Sequence, residues 1–347
     1  MTHRPGVPSP GQEAVGQPGP AEELPSAPAP GAPRVSIVIA AYNCEASLPE
    51  TICSIQAQSF QAWECVIVDD GSKDGTLEIA RRAAAGDPRI LVATQANAGV
   101  SLARNHGVTF IHPGSQFLTF MDSDDLWFPA ALERLCAGLD GHPEAIGAYG
   151  IGQCIDGKGN AFEDVDYTTH GMGRFVCDGL GRVIPLAAAE PTSFRSLWFS
   201  TPFPPGLVLC RRRAYEQTGY FDSATLPEDW DMLLRLSRHG HLLFIAEKIL
   251  SYRRHAGNWS GRSGDSNRFK IRNLYYKTYF SPDNDAAQKR MVKANWRASQ
   301  LLYLRLNLRA ASRALIRARL GTAAKSLAGA VASVFRWARG YPTLRGL

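Results

Sequence analysis

The sequence has no Cys-x-x-Cys pair, and its seven cysteines are scattered and odd in number. That excludes a disulfide framework or a zinc knuckle and fits a reducing compartment, so a cytoplasmic location is expected. No apolar run is long enough to span a bilayer. The first residues lack an apolar core flanked by basic residues, so no signal peptide is expected. No G-x-G-x-x-G follows the first apolar strand, which disfavours a Rossmann dinucleotide site, and no G-x-x-x-x-G-K-[ST] is present, so a P-loop is excluded. No recognisable nucleic-acid-binding module occurs either, and nucleic acid is not an expected partner.

What is present is a globular composition, 45% apolar and 20% charged over 347 residues, with a net charge of +6. The positive excess falls mostly in the last third, as expected of a contact to anionic lipid or phosphorylated ligands. Residues 1–33 are rich in Pro, Gly, Ala and Glu and read as a disordered leader. Order begins at Arg34. Val35–Ala41 is apolar on both faces, as in a central parallel strand, and ends in Tyr42-Asn43. A helix follows over about 46–58, then a second buried strand, Cys65–Val68, ending in Asp69-Asp70-Gly71-Ser72. Arg89–Thr94 is a third strand, and Ser101–Phe110 a helix carrying Arg104 and Asn105. This alternation predicts an α/β sheet, whose ligands bind beyond the carboxyl ends of the strands.

The fourth strand, Phe117–Met121, runs into Asp122-Ser123-Asp124-Asp125. Carboxylates this close repel, and a hard divalent cation relieves the repulsion while also touching a substrate phosphate. Further on, Glu228, Asp229 and Asp231 stand where an amphipathic helix begins. Carboxylates there are good caps, and Asp231 or Glu228 is expected to take that part. Asp125 is expected to serve the turn into Pro129. Gly150–Phe162 reads as a β-hairpin around Asp156–Asn160, and Asp164–Gly181 as an irregular loop over the site.

Six ordered pieces resemble the family 2 glycosyltransferases of the inverting GT-A type. They are Val35–Asn43, Val68–Ser72, Asn97–Asn105, Asp122-Ser123-Asp124, Glu228–Asp231 and Tyr252-Arg253-Arg254-His255. The resemblance implies a Rossmann-like mixed sheet flanked by helices over residues 34–260, the catalytic domain. Residues 261–347 form a basic helical C-terminal extension. It implies a nucleotide-diphosphate sugar donor linked to UDP, dTDP or GDP, whose nucleotide meets Ala41, Tyr42, Asn43, Asp70, Gly99, Arg104, Asp122 and Ser123. Tyr42 would stack on the base, Asp70 would accept a hydrogen bond from it, and Arg104 would meet the diphosphate. A divalent cation, Mn²⁺ or Mg²⁺, would be held by Asp124 and Asp122, with His255 as a further ligand. Asp229 would be the general base for an acceptor hydroxyl, saccharide or lipid-linked, in polysaccharide or glycolipid assembly. The alternative is a nucleotide-sugar-binding or scaffold protein without turnover; the presence of Asp70, Asp124 and Asp229 argues against it. In the extension, arginines among leucines at helical spacing fit two arrangements: a basic face on an anionic inner membrane surface, or an α-hairpin packed on the core or a second subunit.

Overall fold

The structure, a computed structural model, describes residues 31–166, 174–199, 204–254, 274, 277–278, 281–316 and 320–338. The expected leader to residue 30 and His255 lie outside the described residues, as do most of the residues between 255 and 280.

The chain opens as strand, helix, strand: β1 (Val35–Ala41), α1 (Leu48–Gln56), β2 (Trp63–Asp69), α2 (Thr76–Gly86), β3 (Ile90–Thr94), α3 (Val100–Val108) and β4 (Phe117–Asp122). These four strands are parallel, in the order β3-β2-β1-β4. Val35, Ile37, Val38 and Ile39 are buried on both faces of β1. That is what a strand covered by helices on either side requires, and it explains why the sequence there does not alternate. α1 buries Leu48, Thr51, Ile52 and Ile55, one stripe at helical spacing, with a proline in its first turn. α3 lies against β1 and β2. The approach is close: a Cβ on Gly107 would sit 2.4 Å from Cγ1 of Val38.

The second half of the sheet changes direction. β10 (Val208–Arg211) runs antiparallel to β4 and to β6 (Gly147–Ile155), and β11 (Leu242–Arg253) returns parallel to β6. The two-residue β5 (Leu126–Trp127) closes the edge against β11. The sheet is therefore mixed, as expected. α4 (Ala131–Gly141) covers β6 and β11. The expected hairpin is present, with β7 (Ala161–Asp166) paired to β6 around a turn at Asp156–Asn160. Within the stretch expected to be an irregular loop, β8 (Phe175–Cys177) and β9 (Val183–Pro185) make a small ribbon, and residues 167–173 lie outside the described residues. Trp198 and Phe199, just past the short helix α5 (Phe194–Leu197), are buried in the core. α6 (Arg212–Thr218) and α7 (Glu228–Leu236) precede β11.

Two helices end the described chain, α8 (Ala286–Ile316) and α9 (Leu320–Ala338). Val292, Trp296, Ala298 and Leu302 of α8 join the main core. Gly321 lies inside α9. Among the described residues no helix is long and apolar enough to cross a membrane.

Candidate active site

Sheet register sets the site. Ala41 pairs with Asp69 across β1 and β2, and Ala40 with Asp122 across β1 and β4. The polar ends of three parallel strands therefore stop at one level, where the chain leaves the sheet.

The loops beyond β1 and β2 are tied to each other. Ser72 Oγ accepts from the Asn43 backbone N–H at 3.0 Å, and Asn43 Oδ1 accepts from the Lys73 N–H at 2.8 Å. Asn43 adopts a left-handed conformation (φ 48°), which Asn tolerates better than most residues. Gly71 is also left-handed, and a Cβ there would lie 2.8 Å from the Asn97 nitrogen. Asp70 is buried and gathers the next loop. Its carboxylate accepts from the Gln95 side chain at 2.7 Å and from the Ala98 and Gly99 N–H groups at 2.8 and 2.9 Å. Tyr42 projects from the same edge with nearly half its surface exposed, so one aromatic face is accessible.

The acidic turn after β4 is pinned from two sides. Ser47 and Thr51, at the start of α1, donate to the carbonyls of Ser123 (3.0 Å) and Asp125 (2.9 Å). From the end of β11, Arg253 donates its backbone N–H to Asp125 Oδ1 and its Nε–H to the Asp124 carbonyl, each at 2.9 Å. The same guanidinium pairs with Glu50. Asp125 is thus a fully buried clamp on Arg253, which corrects its expected part as a turn-former before Pro129. Burial and the neighbouring Asp124 and Asp122 carboxylates push its pKa well above the ordinary range. The backbone is held while the side chains of Asp122, Ser123 and Asp124 stay half-buried at the edge.

Arg104 joins this turn to α7. Its guanidinium is almost fully buried and lies 4.9 Å from the Phe221 ring centroid. Nη2 donates to Asp122 Oδ1 at 2.7 Å and Nη1 to Glu228 Oε1 at 3.2 Å. Burial disfavours its charge, but the two carboxylates outweigh that and raise its pKa further. The cap expectation fails here: Pro227 occupies the N-cap of α7, with no side-chain cap. Glu228 is taken by Arg104, and Asp231 is buried between Arg235 (2.9 Å) and Lys277 (2.9 Å). Asp229 remains, its Oδ1 accepting, among the described residues, from the adjacent Trp230 N–H. Its side chain is partly accessible, yet burial of the carboxyl and the Glu228 carboxylate beside it push its pKa up to about 7. The Trp230 N–H and the Arg104 charge partly oppose this shift.

The structure thus brings Arg104, Asp122, Asp124 and Asp229 to one edge, with Ala41, Tyr42, Asn43, Asp70 and Gly99 on the loops alongside. Two residues escaped the sequence reading in their actual parts. Glu228 holds Arg104, and Arg253 organises the acidic turn; their partners are 124 and 128 residues away. Among the described residues no three His, Cys, Asp or Glu side chains are grouped to hold a metal by themselves. The half-buried carboxylates of Asp122 and Asp124 are oxygen donors that suit a hard cation completing its shell with phosphate and water.

Comparisons with known proteins agree with this architecture. The model of glycosyl transferase family 2 matches residues 36–178. EpsE of Bacillus subtilis (strain 168), which carries a glycosyltransferase name, is 30% identical over 253 residues, 70% of this chain and 78% of EpsE. TuaG of the same organism, named for teichuronic acid biosynthesis, is 36% identical over 103 residues, 29% of this chain and 40% of its own length. In three dimensions, Staphylococcus aureus TarS 1–349 in complex with UDP-GlcNAc superposes with a TM-score of 0.58 at 14% identity, covering 84% of this chain and 90% of that one. The mannosyltransferase PcManGT of Pyrobaculum calidifontis, in complex with GDP-Man and Mn²⁺, superposes with a TM-score of 0.53 at 17% identity over 89% of each chain. A GT-A-like sheet, the matching family model and a 30%-identical relative covered over most of its length lead to one conclusion: the chain belongs to glycosyl transferase family 2 and is a glycosyltransferase.

Proposed function

We propose that this enzyme moves a sugar from a nucleotide diphosphate to an acceptor hydroxyl with inversion at the anomeric carbon, Asp229 serving as the general base. One observation carries the reading. Glu228, Arg104 and Asp122 form a continuous bridge from the residue next to Asp229 to the acidic turn, so a base and a diphosphate-facing edge share one rigid frame. The frame also frees Asp229: its neighbours Glu228 and Asp231 are each held by other cations.

A carboxylate in this position accepts the proton of the attacking hydroxyl as the new bond forms on the face opposite the leaving group. A group with pKa near 7 is matched to that task at neutral pH. Asp124 and Asp122 would hold a divalent cation, Mn²⁺ or Mg²⁺, which neutralises charge on the departing diphosphate. Tyr42 offers its face to the nucleotide base, and Gly99 and Ala41 bring backbone close to it. With Asp70 committed to Gln95, Ala98 and Gly99, its part is to shape that base-binding loop as well as to face the base. Arg104 acts on the diphosphate through Asp122. The acceptor in this reading is a saccharide or lipid-linked molecule of polysaccharide or glycolipid assembly; TuaG is named for teichuronic acid biosynthesis. We read residues 34–260 as the catalytic unit and 261–347 as an extension beside an anionic membrane.

The test is a thermal-shift panel of UDP, dTDP, GDP and their sugars, with and without Mn²⁺. A ligand of the folded state stabilises in proportion to the logarithm of its concentration. The expected result is stabilisation by one nucleotide class that Mn²⁺ strengthens in the wild type and not in Asp124→Ala. Silence towards every diphosphate would overturn the reading.

A further inference from the structure

The end of the chain is built inside out. From Leu327, the residues Val331, Val334 and Phe335 follow at steps of four, seven and eight, one stripe of an α-helix. In a helix that only covers a core this stripe would be the buried one. In α9 it is exposed: Val331 by 55% and Phe335 by 60%. The buried residues lie on the flank of this stripe, and they are small: Ala323, Ala330 and Ser333. Gly329 lets the helices approach so closely that a Cβ there would lie 2.7 Å from Asn307 Oδ1 of α8. Arg336 fastens the pair by donating to Gln300 at 2.8 Å. α8 in turn plants Val292, Trp296 and Leu302 in the main core, while its far end leaves Leu315 and Ile316 exposed. The hairpin is therefore docked by one end, while the apolar stripe of α9 and the far end of α8 are exposed.

Charge says what covers them. The 62 residues after Asp285 contain 13 Lys and Arg and no Asp or Glu, leaving 25 Lys and Arg against 32 Asp and Glu in the first 285 residues. Arg305, Arg309 and Arg313 of α8 and Lys325 of α9 are exposed on the same hairpin. We infer that the α8–α9 hairpin is an interfacial anchor that lays Leu327, Val331, Val334 and Phe335 into the headgroup region of an anionic phospholipid bilayer. Cations on the polar flank and apolar residues on the other are the combination such helices use. Two copies of this surface would each bring the same unbalanced positive charge, which opposes self-association through it. Nucleic acid phosphates would answer the arginines but leave Val331 and Phe335 in water. The inference rests on α8 and α9 alone and stands whether or not the transferase chemistry above is correct in detail.

Flotation with lipid vesicles tests it. Full-length protein is mixed with phosphatidylcholine vesicles, alone or containing phosphatidylglycerol, and compared with Val331→Asp/Phe335→Asp and Arg309→Gln/Arg313→Gln. Neither pair touches the transferase site. The expected result is binding to the anionic vesicles only, weakened by salt. The arginine pair should lose roughly tenfold or more in partitioning, since each basic residue near such a surface contributes about fivefold. The aspartate pair should lose binding at unchanged circular dichroism. If that variant misfolds, the arginine pair and the wild-type lipid comparison decide. Equal binding to neutral and anionic vesicles, no binding to either, a dimer dispersed by the aspartate pair, or binding to duplex DNA alone would each overturn the inference.

Discussion

At the scale of single residues, Asp229 and Arg104 carry the site's electrostatics. With its pKa lifted from an ordinary carboxylate value to about 7, Asp229 is protonated in mild acid, where the proposed base would be inactive. Turnover should climb as pH rises through about 7, and the acid limb should vanish in Asp229→Asn along with the activity. Linkage gives an independent check. A carboxyl whose folded pKa is raised supports the folded state below its unfolded pKa near 3.8 and loses that support as pH rises towards 7. Chemical denaturation should therefore find Asp229→Asn more stable than wild type at pH 8 and no more stable at pH 4. Arg104 behaves in the opposite sense. Arg104→Met strands two partly buried carboxylates, and a loss of roughly 3 kcal/mol is expected in urea titrations, recovered in part by adding Glu228→Gln.

Elements show how far the sequence could be read. The strands announced themselves because Val35–Ala41 and Phe117–Met121 are apolar runs broken only by Ser36 and Thr119, and a strand buried on both faces needs such a run. The acidic turn, the Asp229 helix and the Asp156–Asn160 hairpin were legible for similar local reasons. Pairings across the fold were not. Asp125 looked like a turn residue because its real partner, the Arg253 backbone, lies on a different strand. Glu228 and Asp231 looked like caps because carboxylates at a helix start usually are, whereas the buried Arg104 of α3 took the first, and Arg235 of α7 and Lys277 took the second. Helix packing gives a test at this scale. In α3, Gly107→Ala gains helix propensity of about 1 kcal/mol but drives a methyl into Val38. Overpacking costs about 1–3 kcal/mol, so a lower denaturation midpoint is expected. Gly141→Ala in α4, where nothing lies within 4 Å, should be neutral or stabilising.

The whole molecule divides its charge. The first 285 residues are net acidic and present carboxylates at one sheet edge, and a strongly basic hairpin follows. Composition alone revealed the basic end but left two arrangements open, packing on the core or lying on a membrane. In the structure the first half of α8 packs on the core, and α9 leaves its apolar stripe exposed. That could not be read from the sequence because the stripe's spacing is the same for a buried face and an exposed one. What distinguishes them is which side of the helix finds a partner.

The most direct measurement of the central claim compares donor affinity and sugar transfer in Asp229→Asn and wild type. The substitution is nearly isosteric and leaves the Glu228–Arg104–Asp122 bridge in place. The account predicts an unchanged Kd for the nucleotide sugar and transfer reduced by about 10²–10⁴-fold, the range of a lost general base. Transfer at the wild-type rate would contradict it.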